Sequence, residues 1–196
     1  MRRIPAVAFA TSLVVALLAL AGCSSWFESP NKPANDAIAV ANTHLKKATQ
    51  SGAAVVTSAD SLASIPFTKE GAASALALTA RIKADLASQT AELTAAKQAM
   101  DSIAAMKVSA DLKTYASLES TAIATRVRVV EMEGQLYSEM DKLYTARQQG
   151  ATTSVDTQNI LASIDSLKLD ITAVTELAAQ AAQTASDYFT TKKLGG

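Results

Sequence analysis

One cysteine, Cys23, stands in the whole chain, so no intramolecular disulfide can hold the fold. One histidine, His44, stands with it, and its isolation excludes several chemistries. A c-type haem needs a Cys-x-x-Cys-His run, and a di-iron bundle needs paired Glu-x-x-His motifs. Neither occurs. Asn42 and Asp36 near His44 do not complete a metal set, so His44 is expected to be solvated or half-buried in a plain helix. Glycine (7 residues) and proline (4 residues) are scarce, and no glycine-rich phosphate loop can be assembled. The carboxylates Glu131 and Glu133 lie two residues apart, as do Glu139 and Asp141, which puts each pair on different faces of a helix. No acid–base couple, nucleophile or cofactor site follows, and an enzyme is not expected.

Charge of either sign is also in short supply. Charged residues make up 18% of the chain, below the roughly 25% of ordinary soluble proteins. The 18 basic and 18 acidic residues balance, and no basic stripe of the kind nucleic-acid binders carry is present. Ser, Thr, Gln and Asn fill much of the polar surface, and Ala is abundant. This is the composition of long helices.

Long apolar runs are absent except at the start. Arg2 and Arg3 precede an uncharged stretch, residues 4–21, rich in Ala, Val and Leu. Its length is marginal for a membrane span, and small residues follow it, as in a cleaved export signal. The stretch ends Leu20-Ala21-Gly22-Cys23, which resembles the lipobox of bacterial lipoproteins. That resemblance implies signal-peptidase recognition through Leu20, Ala21 and Gly22, cleavage before Cys23, and a diacylglycerol on the Cys23 thiol. The partner so implied is membrane lipid, and the place is the cell membrane or outer membrane, outside the cytoplasm. Ser24 is not the aspartate that marks inner-membrane retention in well-studied members, so outward sorting is the default in a host with two membranes. Loss of Arg2 and Arg3 leaves 16 basic against 18 acidic residues, a net charge near −2.

The expected division is 1–22 signal peptide, 23–32 lipidated cysteine and tether, and 33–196 helical domain. The tether holds Pro30, is followed by Pro33, and shows no periodicity. About ten residues reach roughly 30 Å at most, which keeps the body near the membrane. Trp26 and Phe27 sit either at the lipid interface or against the base of the body.

Four helical stretches follow. In the last, Ile160, Ile164, Leu167, Ile171, Val174, Ala178, Ala181, Ala185 and Tyr188 alternate in steps of four and three, a coiled-coil-like seam. Thr153 or Ser154 caps its start. The stretch 111–149, capped by Ser109 and stopped at Gly150, carries pairs such as Tyr115–Ala116, Ala122–Ile123, Val129–Val130, Leu136–Tyr137 and Leu143–Tyr144 every seven residues. Glu119, Arg126 and Glu133 fall on the same stripe and are expected as a flanking polar line, paired with one another or with a neighbouring helix. The stretch 69–106, capped by Thr68, presents Leu76, Ile82, Leu86, Leu93, Met100 and Ile103. The stretch 33–65 keeps the heptad weakly, and Gly52 inside it, costing about 1 kcal/mol relative to Ala, is a candidate break. Short connections at Pro66, at Lys107–Val108 and at Gly150 predict an all-α, up-down-up-down four-helix bundle about 50 Å long, with both ends of the body beside the membrane. The alternative is a pair of long hairpins that assemble only as an oligomer.

Two function classes remain. The first is a structural or protein-interaction module of the cell envelope, whose partner is an envelope protein or polymer. The second is a helical sensor that captures a small molecule and signals through a partner. Arg126 and Arg128 are expected to be solvated or ion-paired. An apolar cavity lined by Arg126 or Tyr137 favours the sensor, and a solid Ala-rich core favours the interaction module.

Overall fold

The computed structural model describes residues 31–150 and 155–194. Four long helices run through them: α1 Lys32–Ala63, α2 Lys69–Ser102, α3 Ala110–Gln148 and α4 Val155–Thr191. A short 3-10 turn, Ile103–Ala105, lies between α2 and α3, and no strand occurs among the described residues. The signal segment, Cys23, the Trp26–Phe27 pair and the Thr153–Ser154 cap lie outside the described residues.

Local chemistry sets several helix ends. Thr68 caps α2, its hydroxyl oxygen accepting from the Gly71 N–H at 3.1 Å, and Glu70 sits in the first turn, where a carboxylate suits the helix dipole. Ser109 caps α3 by accepting from the Leu112 N–H at 3.2 Å. Gly150 follows α3 at φ +83°, the left-handed position glycine takes up most easily past a helix end. Thr68→Ala removes one of these caps without touching the core. It is expected to lower stability by about 1 kcal/mol in urea unfolding, and an unchanged midpoint would show that the cap is silent.

Gly52 does not break α1. The helix runs through it because α2 packs there: a Cβ on Gly52 would come within 3.0 Å of the Gln89 side-chain nitrogen. Absence of a side chain lets the buried Gln89 lie across α1, and this packing outweighs the local propensity.

Polar contacts between helices record the antiparallel register. His44 pairs with Glu92 and Ser51 with Ser88 across α1 and α2. Asp141 accepts from Thr79 and Lys83, and Asp101 from Ser120, across α2 and α3. Asp111 accepts from the Tyr188 hydroxyl at 2.8 Å and faces the Lys192 ammonium at 3.1 Å, across α3 and α4. Low numbers on one helix meet high numbers on the next each time, so the path is up-down-up-down.

The apolar core has two parts with α3 between them. Ala41, Ala48, Ala75, Ile82, Leu93, Ile123 and Val130 pack where α1, α2 and α3 meet. Val129, Leu136 and Leu143 on the other flank of α3 pack against Ile164, Ile171 and Val174 of α4. Phe67, in the α1–α2 connection, touches both parts and stacks obliquely on Tyr144 at 5.7 Å, with the Arg147 guanidinium over its ring at 5.2 Å. Alanine at many of the α1 and α2 seam positions lets the axes approach closely while burying little area per residue. Extensive packing joins each helix to its neighbours in the chain, and α4 does not pack extensively against α1. The fourth side of the bundle is therefore the open one.

Candidate functional site

The residues that sequence singles out for processing, Leu20, Ala21, Gly22 and Cys23, lie outside the described residues. The structure does locate the start of the body that follows them. α1 begins at Lys32, nine residues past Cys23, at the end of the bundle that also holds the α2–α3 turn and the last turn of α4. No helix among the described residues is long and apolar enough to cross a membrane.

His44 is half-buried, with Nδ1 2.6 Å from a Glu92 carboxylate oxygen. No group of three or more His, Cys, Asp or Glu residues among those described is placed to hold a metal ion. The paired carboxylates separate as their spacing requires. Glu131 is exposed while Glu133 points inward, and Glu139 faces Lys142 while Asp141 is held by Thr79 and Lys83.

The polar line on α3 departs from expectation. Glu119, Arg126 and Glu133 do not flank the buried face; they occupy its middle. On one side of them lie Ser120, Ile123 and Val130, which meet α2 or its core, and on the other Val129 and Leu136, which meet α4. Arg128, expected alongside Arg126, is exposed. Arg126 is half-buried and in no close ion pair: among the described residues no carboxylate reaches its guanidinium at salt-bridge distance. Burial pulls its affinity for a proton down, with the Glu119 charge opposing. Burial pushes the Glu119 carboxyl above the usual carboxylate range, opposed by the Arg126 charge and by the Tyr115 hydroxyl, which donates to it at 3.4 Å. Glu133 has no such relief, and burial alone pushes it up to about 7. Tyr137 is raised to about 12, by burial first and then by the charges of Glu133, Tyr144 and Asp60.

No family model, no curated protein and no solved structure matches this chain.

The chemistry of the line therefore has to be read from its own geometry. Seven residues advance a helix by about 10.5 Å, so Glu119 and Glu133 stand about 21 Å apart along α3 with Arg126 midway. These charges do not converge on a point. Leu112 continues the same heptad position before Glu119 and Met140 after Glu133, so apolar residues suit the stripe where the charges stop. Partly desolvated charges without close partners cost stability, and a fold selected for stability alone has no use for them.

The outer side of α4 offers less. Leu161, Leu169 and Leu177 are exposed, at 38%, 74% and 53%. Steps of eight residues advance about 80° around a helix, so the three leucines spiral around α4 and make no stripe. Exposed apolar residues scattered in this way are ordinary.

Proposed function

We propose that this protein is an envelope lipoprotein, anchored by acyl chains on Cys23 and acting through a helical body as a structural or protein-interaction module. The observation that carries the reading is Leu20-Ala21-Gly22-Cys23 at the end of an apolar run behind Arg2 and Arg3. Each buried CH₂ contributes roughly 0.8 kcal/mol, and two or more chains hold a protein where one does not. An acylated cysteine is also protected from unwanted pairing with other thiols. The body acts by touching a partner, without catalytic groups.

Support for an elongated partner comes from the α3 line. A small molecule is met by groups that converge, whereas charges strung over about 21 Å suit a helix or polymer lying along the bundle. The sensor reading draws on Arg126, an arginine held inward with no close carboxylate. It would be favoured by tight binding of a free amino acid or carboxylate that Arg126→Gln abolishes.

Cys23→Ala tests the anchor. The expected result is complete loss of fatty-acid labelling, with precursor retained or mislocalised. Normal labelling and processing in that variant would end the lipoprotein reading.

A further inference from the structure

The end of the bundle from which the tether leaves is also its basic end. Lys32 opens α1, Lys107 sits in the α2–α3 turn, Lys113 lies in the first turns of α3, and Lys192 and Lys193 close α4. The carboxylates at this end are Asp36, Asp111 and Asp187. Asp36 is taken by Lys32 at 2.8 Å and Asp111 by Lys192 at 3.1 Å. Lys107, Lys113 and Lys193 are left with no carboxylate at salt-bridge distance among the described residues. Asp187 accepts from the neutral Gln183 amide and keeps its charge, which offsets one of the three lysines, and the next charges inward are a pair that cancels, Lys97 with Asp101 at 2.6 Å. The opposite end, with Asp60, Lys69, Glu70, Arg147 and Asp156, has an acidic excess.

We propose that this basic end is a docking surface for anionic phospholipid headgroups, which stands the bundle upright on the membrane that holds its anchor. The inference rests on the anchoring reading above, because the tether is what brings this end to the surface. A chain of eight residues between Cys23 and Lys32 spans less than about 30 Å even when extended. A bundle about 50 Å long on such a tether can lie flat or stand. Charge decides between these arrangements. The long sides carry mixed signs with an acidic excess, whereas the tip keeps a net positive charge, three unpaired lysines against the one uncompensated carboxylate of Asp187. Each lysine near an anionic leaflet favours contact by about fivefold, and the attraction fades within a Debye length. Contact at the tip is then the favoured state, and the acidic far end is held away from the surface.

The test uses the mature lipidated protein on vesicles, with amine acetylation rates read lysine by lysine by mass spectrometry. One vesicle is phosphatidylcholine alone and the other contains about 30% phosphatidylglycerol, an anionic surface of the kind the docking requires. Lys107, Lys113 and Lys193 are expected to label several-fold more slowly on the anionic vesicle, and to recover in about 0.5 M salt. Lys46, Lys47 and Lys69, on the side and the far end, should label equally on both. In the folded triple variant K107Q, K113Q and K193Q, protection of Lys32 and Lys192 should disappear as well. Flotation with both vesicles establishes the anchor first. A protein that floats but labels equally on the two surfaces overturns the docking alone. Protection of the side lysines to the same degree means the body lies flat, which also overturns it. Failure to float with either vesicle overturns the anchoring reading and the docking with it.

Discussion

Ile171→Asp is expected to lower the unfolding free energy by about 4 kcal/mol or more, a large share of the roughly 5–15 kcal/mol that holds an ordinary domain folded. Ile171 is 5% exposed and packs in the α3–α4 core with Val129, Leu136 and Val174. A carboxylate there is either desolvated without a partner or held protonated, and the isoleucine packing is lost in both cases. Asp170, the preceding residue, is exposed on the far side of the same helix. Asp170→Ala is accordingly expected to change stability by no more than about 0.5 kcal/mol. Urea unfolding of the two variants under one set of conditions checks the pair. Similar losses in both would mean that α4 packs in a different register.

Glu133→Gln is expected to stabilise the protein at neutral and alkaline pH and to do little in acid. Burial raises the Glu133 carboxyl from 4.5 to about 7, so the folded state holds this proton more tightly than the unfolded state does. Its favourable contribution is fully present below about 4.5, declines as pH rises between these values, and is lost above about 7. At about 1.4 kcal/mol per pH unit, the loss amounts to roughly 3 kcal/mol across that window. Gln keeps the shape and cannot ionise. The variant should match the parent near pH 4, exceed it by up to about 3 kcal/mol near pH 8, and show a flatter profile between. Glu119, raised by burial as well, leaves some slope of the same sign in the variant. Parallel profiles for the parent and the variant would show that Glu133 is well solvated.

The two variants differ in how legible their positions were in the sequence. Ile171 sits on a seam of period 3.5, and that period alone assigns a residue to the inside or the outside: Ile164, Ile171, Val174, Ala178 and Ala185 are buried as the spacing required. The Thr68 and Ser109 caps are equally local, each a hydroxyl three residues before the N–H it satisfies. Glu133 was legible in position and misread in environment. Its heptad place was plain, but a charge there reads as the rim of a stripe, and only the placement of α2 and α4 on its two sides shows it to be the middle. Gly52 was misread in the opposite sense, because helix propensity is local and the packing of Gln89 across it is not.

By itself the sequence determined the all-helical character, the up-down order, the caps and the inward faces, because each follows from contacts within a few residues along the chain. It also carries, unaided, the export and lipidation reading of the first 23 residues. Tertiary structure decided which faces meet. A heptad stripe says that a helix has a partner and does not say which one, so the division of the core about α3 and the open side between α1 and α4 appear only in three dimensions. The same holds for charge. Lys32, Lys107, Lys113, Lys192 and Lys193 are scattered along the chain, and the antiparallel path alone gathers them at the end where α1 begins. Electrostatic fields add over distance in space, not over separation in sequence, and that is why neither the basic tip nor the half-buried line on α3 could be read before the helices were assembled.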